Sequence, residues 1–426
     1  MFWFDIFISS DIIKSYEGIM GYTYDINTSK KDKCSTICLS SCHLLFSIIN
    51  LFLSTFLIAH IYTLTSDIYS YIFNVGLFQL TNYACMLVSY FLFSFWVDKS
   101  NRIWVYRIAN IIEVSFVILT IFRGEDIAKL VVLAGVLNGI SHGAYYASYN
   151  VLRQEMVSRN SMDKFSVILA LLGRIINIVC PILLGALIEV STFSNVAIYV
   201  LVISIIQIVL SFFIKAKRPD NSEFNVRKYF KRLKENPELS KKMKQIYIMC
   251  CFQGCLAAVS ILLNINIMMQ FGSSFSLGAV TSIFSIVSIV TLILTTKFTK
   301  QGKRTWLFIL TGALLLSSAI VFAVIPDVVT LIIYHLCLSV CDMIVAIILD
   351  IIRNKNLKEA GLYQDIAEHQ CVVESIYQVF RIFTFGLLIL VGFLKNYLVL
   401  QILFIVMVCA YPALCILLSI YEKKNQ

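Results

Sequence analysis

Long apolar runs broken by short polar stretches recur along the whole chain, and their spacing predicts twelve helical spans. Six fall near 43–63, 71–97, 103–122, 130–152, 165–189 and 196–214; six more fall near 246–270, 277–298, 305–325, 328–352, 371–394 and 397–420. Crossing a bilayer core takes about 20 apolar residues per helix, so twelve spans use roughly 240 positions. Short loops, a tail and one longer linker make up the rest, leaving no room for a separate catalytic domain. Spans 4 and 10 carry the most polar groups.

Composition agrees with the pattern. Of 426 residues, 59% are hydrophobic and 14% charged, whereas a soluble domain is about 25% charged. A secreted disulfide scaffold, a disordered chain and a cytosolic enzyme are excluded on that ground. The net charge of +10 invites a nucleic-acid partner, but the bases gather in alternate loops, as membrane orientation requires. Lys99 and Arg102, Arg153 and Arg159, the linker, 300–304 and 353–358 share one side. Loops 66–70, 190–195, 271–276 and 326–327 have no Lys or Arg, Arg123, Lys129 and Lys395 being the exceptions on that side. A multi-pass protein of the cell membrane with both termini cytoplasmic is expected, and no nucleic-acid partner.

The division expected is a cytoplasmic tail over 1–42, a bundle over 43–214, a basic linker over 215–245, a second bundle over 246–420 and a tail over 421–426. The first 40 residues lack a basic start before their apolar stretch, which reads as an interfacial segment and not a cleavable signal. The linker holds Arg227, Lys228, Lys231, Arg232, Lys234, Lys241, Lys242 and Lys244, and suits an anchor on anionic head groups or a partner's docking site. Most of the 13 cysteines sit inside apolar runs, where they act as small apolar side chains. Cys34, Cys38 and Cys42 beside His43 form a helical stripe without the paired clusters of structural zinc, so lipidation or an inert face is expected and no metal.

The two sets of six repeat each other. Asp98-Lys99-Ser100-Asn101-Arg102-Ile103 after span 2 is echoed by Thr299-Lys300-Gln301-Gly302-Lys303-Arg304 after span 8. Arg153 closes span 4 as Arg353 closes span 10, and Arg174 and Gly185 on span 5 correspond to Arg381 and Gly392 on span 11. With these residues the chain resembles the major facilitator superfamily of secondary transporters over 43–420. That family's loop after span 2 reads G-x-x-x-D-R/K-x-G-R/K-R/K; Asp98, Lys99 and Arg102 match, while Ser94, Asn101 and Ile103 depart from it. A second family pattern, G-P-x-x-G-G on span 5, is reduced to Pro181 and Gly185. The resemblance implies an all-α fold of two pseudo-symmetric six-helix bundles, with substrate between them near the midplane. It also implies a cytoplasmic gate of Asp98, Lys99 and Arg102, with Arg153 as basic neighbour.

An ionisable side chain at bilayer depth costs about 2.5–3.5 kcal/mol or more, so it faces a cavity or a partner. Arg174 and Arg381 lie near the midplane, as do His142 and Asp342, which the repeat superimposes. In the family, spans 1, 4, 7 and 10 line the cavity and 2, 5, 8 and 11 flank it, which would point all four inward. Two guanidinium forks suit a carboxylate or phosphate. Arg174 and Arg381 are therefore candidate solute ligands, with Asn177, Asn138, Asn150 and Tyr146 as helpers. Asp342, His142 and Glu113 are candidate proton-coupling groups. The alternative is that an arginine pairs permanently with Asp342 or Glu113 and only fixes packing. His335 reads as a packed histidine, and Glu374, seven residues before Arg381, cannot reach it without a group between. Gly135, Gly139 and Gly143 make a ridge for close helix approach.

No phosphate-binding loop, metalloprotease helix or nucleophile elbow is present, so no cofactor and no enzyme chemistry is expected. The expectation is a monomeric secondary active transporter that moves a small anionic or zwitterionic solute by alternating access, coupled to protons or another ion. An exporter or lipid flippase on the same scaffold, and a sensor or scaffold that moves nothing, stay open.

Overall fold

The computed structural model describes residues 30–99, 102–157, 162–215, 224–298, 304–359 and 365–424, and among them the chain is helical. Span 1 runs Lys30–Leu51, passes through a π-helical turn at Phe52–Phe56 and continues as Leu57–Leu64. Spans 2 to 6 are Ile68–Lys99, Arg102–Arg123, Val131–Met156, Met162–Val190 and Phe193–Ser211. A linker helix, Val226–Glu235, leads into spans 7 to 12: Pro237–Phe271, Ser274–Phe298, Arg304–Val324, Val328–Glu359, Ile366–Leu394 and Tyr397–Lys424.

Several helices outrun the apolar runs that announced them. Span 1 begins at Lys30 and span 10 continues to Glu359, because a formed helix propagates one hydrogen bond per residue and neither extension contains Gly or Pro to stop it. Span 7 starts where Pro237 takes the first helical position and the Asn236 side chain accepts from Leu239 N at 3.2 Å. Span 10 starts where Asp327 accepts from Thr330 N at 2.7 Å.

Among the described residues eleven helices are long and apolar enough to cross a membrane. Span 4 is the polar one, 26 residues long. Its polar side chains are turned into protein, since Asn138, Ser141, His142 and Ser148 are all buried. Gly135, Gly139 and Gly143 seat it on span 2; a Cβ at Gly135 would lie 2.7 Å from Phe78 O, and one at Gly143 2.7 Å from Tyr90 N.

The packing is two-fold. Span 2 lies on 4 as 8 lies on 10, 3 on 4 as 9 on 10, 3 on 6 as 9 on 12, 1 on 6 as 7 on 12, and 1 on 5 as 7 on 11. The halves meet where span 2 packs on 11 and span 5 on 8, two seams that the same pseudo-symmetry exchanges. Repeat-related glycines make both seams close. A Cβ at Gly392 would lie 2.8 Å from Phe73 Cβ, and one at Gly185 2.6 Å from Ser274 O. These contacts lie at the face opposite the termini, here called the distal face, where the end of span 1 also touches spans 7 and 8.

At the terminal face the linker helix is held to the second half. Tyr229 and Leu233 are buried; the Tyr229 hydroxyl lies 2.6 Å from that of Tyr247 on span 7 and 3.1 Å from His369 Nδ1 on span 11. Arg232 donates to both oxygens of Asp365 at 2.5 and 2.7 Å, and Glu368 accepts from Asn225 N at 3.1 Å. Just before the helix, Phe224 packs with Tyr90 of span 2, Ala147 of span 4 and Cys371 of span 11, bridging the halves.

Candidate functional site

The repeat places two arginines in equivalent positions, and each reaches into the other half. Arg174 on span 5 donates through Nη2 to Met343 Sδ on span 10 at 3.0 Å and interacts electrostatically with Asp342. A thioether is a weak acceptor, so this guanidinium keeps donors suited to a stronger anionic partner. Asp342 is exposed between buried Cys341 and Met343, and a Cβ at Gly173, beside Arg174, would meet nothing within 4 Å. Half-buried Asn177 stands one turn further along span 5.

Arg381 on span 11 occupies the related position. Its guanidinium lies 5.0 Å from the Tyr83 ring of span 2 and 5.7 Å from the Tyr377 ring, and its charge is felt at His142 of span 4. Arg174 thus faces Asp342 as Arg381 faces His142, one pair for each crossing of the pseudo-axis. His142 is buried edge-on to Phe46 of span 1, with ring centroids 5.3 Å apart. Neither its Nε2 nor Arg381 Nε has a hydrogen-bond partner among the described residues. Buried polar atoms are rarely left so, which makes His142 and Arg381 candidates for contact with a ligand.

Polar neighbours complete this subsite. Tyr377 donates to Gln253 Oε1 of span 7 at 2.6 Å. Asn150 donates to the Tyr90 hydroxyl at 3.4 Å, and Tyr146 lies near both Arg381 and Glu374. Arg381 Nη1 donates to Gln378 Oε1 at 3.4 Å, and Gln378 Nε2 donates to Glu374 Oε2 at 3.2 Å. Gln378 is the group between that the seven-residue spacing demanded.

Other sequence candidates lie apart from this cluster. Asn138 donates to Asn82 Oδ1 at 3.0 Å and Asn82 to Gln79 Oε1 at 3.3 Å, a buried chain between spans 2 and 4. Glu113 is buried between spans 3 and 6 and interacts with Gln207, which donates to Asn110 Oδ1 at 3.1 Å, and Glu113 Oε1 has no hydrogen-bond partner among the described residues. His335 stacks on Phe284 at 4.1 Å. In the expected gate, Arg102 forms an ion pair with Glu155 of span 4, and Arg153 lies 6.0 Å over Tyr149, one turn earlier. The side chains of Asp98, Lys99 and Arg353 lie outside the described residues.

Sequence reasoning missed Glu155, Gln207, Gln253, Tyr83 and Gln378. Only Gln378 had a readable signal, a polar residue midway between two charges on one helical face.

The sequence model described as Major Facilitator Superfamily matches residues 36–364. A curated relative, the uncharacterized protein YqgE of Bacillus subtilis (strain 168), is 22% identical over 249 residues, 57% of this chain and 56% of the relative. The chain thus spans about half the length of that relative. Among solved structures it is similar to the human organic anion transporter MFSD10 (11% identity, 92% of this chain and 100% of that one, TM-score 0.61). It is also similar to a D-xylose-proton symporter (9%, 92% and 97%, TM-score 0.61) and to the nucleoside transporter NupG (14%, 91% and 99%, TM-score 0.61). Identities this low speak for the fold.

Proposed function

The chain belongs to the major facilitator superfamily, whose members are secondary transporters, and we propose that it carries a small anionic or zwitterionic solute across the cell membrane by alternating access, coupled to protons. The carrying observation is the pair of repeat-related arginines, each presented by one half to a titratable group on the other. Solute between the halves then exchanges partners whenever the halves rock, which is how binding energy shifts an equilibrium between two arrangements. Asp342 facing Arg174, and His142 facing Arg381, set the charge the solute meets. The distal seams are closed in this arrangement, at the face opposite the one that charge distribution assigns to the cytoplasm. The organic anion in the name of one structural neighbour is that protein's own; the case for an anion here is the two guanidinium groups.

The reading is tested by thermal shift on the purified monomer against carboxylates, phosphate esters and amino acids. A solute at 100 times its dissociation constant stabilises the fold by about 2.7 kcal/mol. Hits go to uptake by proteoliposomes under an imposed pH gradient. Arg174→Gln or Arg381→Gln should abolish uptake with the melting profile retained. Unchanged uptake in both would end the proposal, and lipid head-group translocation without solute flux would favour the flippase instead.

A further inference from the structure

One of the two related subsites lacks an acid where the other has one. The repeat sets His142 where Asp342 stands, so the guanidinium of Arg381 faces an imidazole across the seam, whereas that of Arg174 faces a carboxylate. The negative charge nearest in kind comes along span 11 itself, from Glu374, two turns below Arg381 and joined to it by Gln378. Gln378 is completely buried, so its amide serves these two groups and not solvent.

The direction of this chain is informative. The amide oxygen accepts from Arg381 and the amide nitrogen donates to Glu374, the one orientation that satisfies a guanidinium and a carboxylate together. Arg381, which can only donate, fixes that orientation, and the charge on Glu374 sets how strongly the amide is polarised. A proton there removes the charge that polarises the amide and leaves the cation of Arg381 for another anion. Glu374 also lies on the seam: Tyr90 of span 2 and Tyr146 of span 4, both from the first half, interact with it electrostatically.

Resting on the transport reading above, we infer that Glu374 is the residue that takes the coupled proton, and that Gln378 relays its charge state to Arg381. In the loaded form the solute's carboxylate or phosphate replaces Glu374 as the counter-anion of Arg381, and the proton on Glu374 crosses with it. Binding of solute and of proton then favour each other by the same factor, as linkage requires. Among the described residues, the other titratable or charged groups around Glu374 include Tyr90, Tyr146 and, beyond Arg381, His142 from the first half. On span 11 they are Cys371, Tyr377 and, a turn and a half lower, His369 and Glu368. Span 7 contributes Tyr247 and the linker helix Tyr229, both on His369.

The test uses the proton alone as probe, with the full chain in lipid. Spin labels introduced as unnatural amino acids at exposed Ser191 and Asn396 report the separation of the halves at the distal face, undisturbed by 13 native cysteines. Between about pH 8 and about pH 5 the wild type should change its ratio of closed to open distances about fivefold or more. Glu374→Gln and Gln378→Leu should each flatten that response, and Glu374→Asp should keep it. Should Glu374→Gln not fold, infrared difference spectra decide: the protonated carboxyl band must move in Glu374→Asp and stay in place in Asp342→Glu. A Glu374→Gln protein that follows the wild-type pH response, or a band that ignores Glu374→Asp, overturns the inference and leaves transport standing. A wild type that responds to pH but carries no solute overturns the transport reading and leaves the relay.

Discussion

A buried polar side chain in this protein serves either the helix interface or the seam between halves, and its partners tell which. Asn138 belongs to the first kind, because its amide completes a chain through Asn82 to Gln79. Asn138→Ala should remove about 1–3 kcal/mol of stability by leaving the Asn82 oxygen without its donor. In detergent that appears as a lower melting temperature with solute affinity unchanged; a loss of affinity at unchanged stability would move Asn138 to the site. Arg174 and Arg381 belong to the second kind, and their positions were readable because duplication leaves equal offsets in the chain. Readable too was the need for something between Glu374 and Arg381. The rotation of each helix about its axis was not, and it turns Asn138 and Glu113 toward neighbouring spans although their depth suggested a cavity. A 3.6-residue period spread over an almost uniformly apolar helix has little amplitude from which to take that angle.

Apolar run length located the helices well, since a bilayer imposes it, but it underestimated helices that leave the bilayer. The linker helix shows what charge counting missed. Its basic residues Arg227, Lys228, Lys231 and Lys234 are exposed, as an anchor would require, yet its other side is fastened to spans 7 and 11 through Tyr229, Leu233 and Arg232. Asp365→Asn should loosen it, raising amide hydrogen exchange across Val226–Glu235 severalfold with spans 7 and 11 unchanged. Burial pushes the Tyr229 hydroxyl up to about 12, against an ordinary value of about 10. Folding therefore favours the neutral phenol. Its contribution is complete below about pH 10 and is withdrawn as the pH rises toward about 12. Exchange in the linker helix should climb across that interval, and Tyr229→Phe should lose the alkaline step. A step that survives Tyr229→Phe would show that Tyr229 is not the group that titrates.

Viewed as a whole, the molecule is two copies of one bundle joined along seams that glycines keep thin. Gly185 of span 5, packed on span 8, and Gly392 of span 11, packed on span 2, are related by the repeat, so a side chain at either should act alike. Gly185→Val and Gly392→Val should each prise the distal seam apart and favour the arrangement open at that face. Labelling of a cysteine placed at Phe73 should then speed up about tenfold or more. A rate equal to the wild type's would show that the seam is not what holds that face shut. The docking of the linker helix also says where this chain tolerates division. A break at 216–223 leaves the second fragment with Phe224 and the helix that clasps spans 7 and 11, whereas a break after Glu235 strands that helix on the wrong piece. Two co-expressed fragments made by the first cut should find each other in the membrane and complement, and those made by the second should not.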